Sequence, residues 1–181
     1  MWARWLVLSI VVVAIGAVPR FALSDTSAPV PNYISSKLSR ALVAWIALHQ
    51  EYRVAIDTDC SCADSISRVR EGHGWPPSPN FHPYYAAGDF NGDSEEDLAV
   101  GVISRQHPKK FRVLILNGTR SRTLAPKEYL SGEFPLGWGL FFGAPRPKPW
   151  RLIVGPFEAE GATFEPTPSG YKLVADESED E

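Results

Sequence analysis

From Tyr33 to about Gln50 the apolar residues fall at Ile34, Leu38, Ala41, Leu42, Trp45 and Leu48. Spacing of three and four predicts an amphipathic helix, with Asn32 placed to cap it and Lys37 and Arg40 on its outer face. A partner-binding helix would show the same stripe, but packing on the chain's own sheet is the commoner use of such a face. A second, short helix is predicted over Ala63 to Arg70, stopped by Gly72. His73 to Pro83, punctuated by Pro76, Pro77 and Pro79, reads as loop. Beyond it the period changes. Tyr84–Gly88, Leu98–Ser104, Phe111–Asn117, Trp138–Phe142, Trp150–Gly155, Ala162–Glu165 and Tyr171–Val174 are short runs rich in aliphatic and aromatic residues, which predict strands. Arg105–Lys110 and Arg146–Pro149 read as polar hairpin connections, and Pro168–Gly170 as a tighter turn. In Phe111–Leu116 both alternate faces are apolar, which predicts a strand covered on two sides, the long helix lying on one.

The ends of the chain read differently. Arg4 gives a short positive start, Trp5 to Val18 is an apolar run, and Pro19 and Arg20 break it ahead of the small residues Ala22 and Ser24. Fourteen residues in a helix reach only about 21 Å, short of a hydrocarbon core of about 30 Å. Residues 1–24 are therefore expected to be an export signal, or an N-terminal anchor if uncleaved. Either way the remainder is expected outside the cytoplasm, secreted or periplasmic, with contact to a membrane only through that anchor. Residues 25–32 read as a linker, 33–175 as one domain, and 176–181 as a solvated acidic tail.

Composition narrows the picture. With 181 residues there is room for about one domain, and 16 prolines with 14 glycines favour short strands and turns. The chain holds 18 basic and 21 acidic side chains. Without residues 1–24, which carry Arg4 and Arg20 and no acid, the balance is 16 against 21, and five of those acids lie in the tail. The body between is electrically neutral, which argues against a nucleic-acid partner. Cys60 and Cys62 are separated by one serine. That spacing leaves open a tight local disulfide, an intermolecular bridge or two free thiols, and two sulfurs alone do not complete a zinc site.

One segment carries recognisable chemistry. Gly88-Asp-Phe-Asn-Gly-Asp-Ser-Glu-Glu-Asp97 places oxygen side chains at loop positions 1, 3, 5 and 9: Asp89, Asn91, Asp93 and Asp97. The carbonyl of Glu95 at position 7 would be a natural further donor. A hard divalent cation wants six to eight oxygens, and alternating donors in a turn fold toward one centre. The absence of nitrogen and sulfur donors favours calcium. The run Tyr84–Gly118 resembles the FG-GAP (VCBS) repeat, the calcium-loop hairpin in the blades of integrin-type β-propellers: the Asp-Phe-Asn-Gly-Asp loop, then Asp97-Leu-Ala-Val-Gly101, a variable turn and Phe111–Gly118. The resemblance covers about a fifth of the chain. It implies calcium-ligand roles for Asp89, Asn91, Asp93 and Asp97, and a place in adhesion or scaffolding. Two departures stand out. Ser94 occupies a position usually filled by glycine, where a positive φ is often needed, and Val100 stands where an EF-hand would carry its glutamate.

A weaker echo follows. Leu152-Ile-Val-Gly155 repeats Leu98-Ala-Val-Gly101 at an offset of 54 residues, with no acidic loop before it. His82 and His73 are candidate bases, though no serine or cysteine stands out as a partnered nucleophile. Trp75, Phe81, Tyr84, Tyr85 and Phe90 would form a sugar- or peptide-binding face if exposed, but a small sheet needs such residues as core. The expectation is an α+β fold, a small antiparallel meander with the N-terminal helix packed on it. Its function is expected to be that of an exported, non-enzymatic calcium-binding interaction module with a protein or carbohydrate partner. The rival expectations are a cell-envelope hydrolase or enzyme inhibitor, and a domain that binds no metal.

Overall fold

The computed structural model describes residues 30–73, 77–121, 125–143 and 151–175. The leader, most of the linker, Trp75, the Arg146–Pro149 connection and the acidic tail lie outside the described residues. The chain runs α1 (Ser36–Leu48), β1 (Tyr52–Val54), a 3-10 turn (Asp57–Asp59), α2 (Ala63–Glu71), β2 (Tyr85–Gly88), β3 (Asp97–Ser104), β4 (Lys110–Asn117) and β5 (Lys127–Pro135). Four more strands follow: β6 (Trp138–Gly143), β7 (Arg151–Pro156), β8 (Ala162–Thr167) and β9 (Gly170–Ala175).

Both helices form where the periodicity places them. Leu38, Leu42 and Trp45 are buried in the same core as the strands, and the Trp45 ring lies 5.6 Å from that of Tyr52 on β1. The N-cap is Ser35 rather than Asn32, and no side chain caps the helix. Leu48, counted on the apolar face from its spacing, is 81% exposed because the chain leaves the helix at His49 to enter β1. Lys37 is tied to the carbonyls of Thr119 and Ser121, far along the chain. α2 ends on Gly72 in the left-handed region (φ 85°), where a Cβ would also lie 2.6 Å from the Pro77 ring.

The strands form two antiparallel sheets, not the one meander expected. In the first, β3 is central: β2 pairs along its first half (Tyr85↔Val100, Gly88↔Asp97) and β1 along its last residues (Val54↔Val102). On its other side lie β4 and then β5. The second sheet is the consecutive meander β6–β7–β8–β9. Burial explains the division. Phe111, Val113, Leu114, Ile115 and Leu116 are all buried, so β4 must be covered on both faces, as its apolar pattern predicts. The buried residues of both sheets and of α1 form one core. The contact between sheets is aromatic: Phe134 and Tyr129 on β5 meet Phe164 on β8, and Tyr129 also meets Tyr171 on β9. The Leu140 N–H donates to the Pro83 carbonyl at 2.7 Å, joining β6 to the start of β2.

Two strands lack a clear signal in sequence. β1 is three residues long, too short to show a period. β5 mixes charges with Gly132 and pairs with β4 through an irregularity at Arg112/Leu114. There the buried Ser131 hydroxyl accepts the Val113 N–H at 2.7 Å. The 54-residue echo falls on β3 of the five-stranded sheet and β7 of the four-stranded one: Leu98, Val100 and Gly101 on β3 match Leu152, Val154 and Gly155 on β7, and all six are buried.

Candidate metal loop and a second polar cluster

The acidic segment is the turn between β2 and β3, and its oxygens are in use. Asp89 Oδ1 accepts the Gly92 N–H at 2.8 Å and Oδ2 the Ser94 N–H at 3.0 Å. Asn91 Oδ1 accepts the Asp93 N–H, and Asp93 Oδ1 accepts the Glu95 N–H. The Asn91 amide donates to Asp93 Oδ2 at 3.0 Å. Asp97, 0% exposed, does most: Oδ2 accepts the N–H groups of Phe90 and Asn91, and Oδ1 that of Gly118 at 2.7 Å. A single carboxyl therefore fastens the loop to the end of β4. Gly118 allows this, since a Cβ there would stand 2.2 Å from the Glu96 carbonyl. The Glu95 side chain turns to Arg120 at 3.0 Å.

Ser94 has φ 71°, the conformation that its place in the loop predicts and that glycine normally supplies. Burial pushes the Asp97 carboxyl up to about 6, with the charge of Asp93 adding to the rise and the N–H groups of Gly118, Phe90 and Asn91 opposing it. The second sheet also borders the loop. The Tyr171 hydroxyl donates to Asn117 Oδ1 at 2.6 Å. Burial raises its pKa first, and the charges of Asp97, Asp93 and Asp89 raise it further.

The donor set is oxygen only and suits a hard cation chemically. Among the described residues no three acidic, histidine or cysteine side chains gather closely enough to hold a metal ion, and the loop carboxylates are turned onto loop N–H groups instead.

The other singled-out residues lie elsewhere. Phe81, Tyr84, Tyr85 and Phe90 are buried. His73 pairs with Glu71 at the surface. His82 is paired with an acid outside the loop. Its Nδ1 faces Asp57 Oδ1 at 3.0 Å, and Arg70 from α2 holds the same carboxyl at 2.7 Å while donating to the Phe81 carbonyl. Tyr33 and Tyr85 flank the imidazole with ring centroids at 6.3 Å, and the buried Tyr85 hydroxyl has no hydrogen-bond partner among the described residues. Among the described residues no serine, threonine or cysteine is hydrogen-bonded to His82. Sequence spacing gave no hint of this cluster, because Asp57 lies 25 residues from His82 and joins it only through the fold. Cys60 and Cys62 form a disulfide with each other. Compared with protein-family models, curated proteins and solved structures, the chain matches none.

Proposed function

We propose that this chain is an exported, non-enzymatic interaction module in which the Asp89–Asp97 loop staples β2 to β3, with α1 lying on the first sheet as its outer layer. The observation that carries the staple is Asp97, wholly buried and accepting N–H groups from both the loop and Gly118. A carboxyl used in this way is a structural part and not a reactive one. We further propose that the loop takes calcium through Asp89, Asn91, Asp93, the Glu95 carbonyl and Asp97. This half rests on the oxygen-only donors and on the likeness to the FG-GAP loop. The partner is a protein or a carbohydrate.

Thermal melting in calcium and in chelator tests both halves. Calcium at about 1 mM is expected to raise the melting temperature, and Asp93→Ala to abolish that response. Asp97→Ala is expected to cost about 3 kcal/mol in chelator, since three backbone donors lose their acceptor, and to lose the calcium response as well. Identical melting curves in calcium and chelator would end the metal proposal. A stable Asp97→Ala protein would end the staple. The contact of His82 with Asp57 favours a second reading, a cell-envelope hydrolase with His82 as base.

A further inference from the structure

The Cys60–Cys62 disulfide stands at the junction of the 3-10 turn and α2, with its Cα atoms 5.1 Å apart. It encloses a single intervening residue, so it removes about the least loop entropy from the unfolded chain that any disulfide can. Neither flank depends on it. On one side Asp59 is gripped by two nitrogens of Arg53 at 2.7 and 2.6 Å and accepts the Ile56 N–H at 2.9 Å. On the other, Arg70 reaches back from α2 to Asp57 and to the Phe81 carbonyl, with His82 closing on the same Asp57. These bonds hold the turn against the helix whether or not the sulfurs are joined. A bridge that adds little to the unfolded state's constraint and little to the folded geometry is free to open.

The two sulfurs are also unequal. Cys60 is 5% exposed, whereas Cys62 is half-buried and occupies the N-cap of α2. The helix N-terminus favours negative charge on the Cys62 sulfur, and Asp64 in the first turn partly offsets it.

We propose that Cys60–Cys62 is a thiol–disulfide exchange site whose substrate is a dithiol, with Cys62 as the sulfur attacked. A thiolate of the dithiol attacks Cys62 Sγ, the Sγ–Sγ bond breaks, and Cys60 leaves as a thiolate that takes up a proton. The second thiol of the substrate then loses its proton and attacks its own sulfur in the mixed disulfide, releasing the Cys62 thiolate, which is protonated in turn. This chain gains two electrons and two protons, and the substrate becomes a disulfide. The site is independent of the acidic loop, so its failure would leave the proposed function untouched.

The test uses the full chain, oxidised and folded, in millimolar glutathione, with acid quenching, alkylation and peptide mass mapping. Reduction is expected without unfolding, through a glutathione adduct on Cys62, and the reduced protein is expected to melt within a few degrees of the oxidised one. In glutathione disulfide, Cys60→Ser is expected to acquire an adduct at Cys62 at least about tenfold faster than Cys62→Ser acquires one at Cys60. A bridge that resists glutathione until denaturant is added overturns the proposal, as does an adduct that forms first on Cys60. The adduct map needs only the unmodified chain, so a variant that fails to fold leaves the question decided.

Discussion

Ser94 holds a backbone conformation that L side chains other than asparagine and aspartate rarely adopt, at φ 71° in the middle of the acidic turn. Its N–H is bound to Asp89 Oδ2 at 3.0 Å, so the loop cannot relax around it without giving up that bond. Ser94→Gly should therefore stabilise the chain by about 1 kcal/mol, read as a higher urea midpoint at unchanged slope. A lower midpoint would mean that the hydroxyl contributes more than the strain costs. A second single-residue effect is electrostatic. Burial raises the Asp59 pKa, but the Arg53 guanidinium and the Ile56 N–H outweigh it and leave the carboxyl below its ordinary value. The folded pKa is thus lower than the unfolded one. The pairing adds stability that is complete above about pH 4 and is lost as the pH falls through the folded value. Urea midpoints between about pH 5 and about pH 2 should fall less for Asp59→Asn than for the unmodified chain. Parallel losses would place the acid sensitivity elsewhere.

At the scale of elements, what was legible in sequence is what repeats with a period. α2 ends one residue from its expected limit, stopped by Gly72, and α1 carries its buried stripe on Leu38, Leu42 and Trp45. The strands with dense apolar runs, β3 and β4, sit within a residue of their predicted bounds. β5 escaped because its role depends on its neighbours: Ser131 is buried only because its hydroxyl satisfies Val113, and Phe134 because Phe111 and Phe164 meet it. The acidic turn was legible as a turn with a positive-φ position, but the way its oxygens close on the loop's own N–H groups was not. The Asp57–His82–Arg70 cluster was invisible, since three separate segments supply it. The weight of the α1 stripe is measurable. Trp45→Ala should cost about 3–5 kcal/mol in chemical unfolding, because a buried indole beside Tyr52 leaves a cavity that a helix end cannot fill. A loss below about 1 kcal/mol would show that the helix is held by its polar ties alone.

At the scale of the whole molecule, the two sheets share one core. Phe164, 2% exposed, sits where Tyr129 and Phe134 converge, and Tyr171 carries the contact on to Asn117 beside the acidic loop. Phe164→Ala should destabilise both sheets together, by about 3–5 kcal/mol, with coincident transitions in tryptophan fluorescence and far-ultraviolet dichroism. Separate transitions would mean that the sheets unfold as independent units.

The short connection 118–121 is where four long-range bonds meet. Lys37 from the first turn of α1 holds its carbonyls at Thr119 and Ser121, Asp97 takes the Gly118 N–H, and Arg120 answers Glu95. A mechanical load applied at the amino end would consequently bypass β1 and α2 and reach the β2–β3 turn through side chains. The first event under tension would be the parting of this knot, ahead of any peeling of strands.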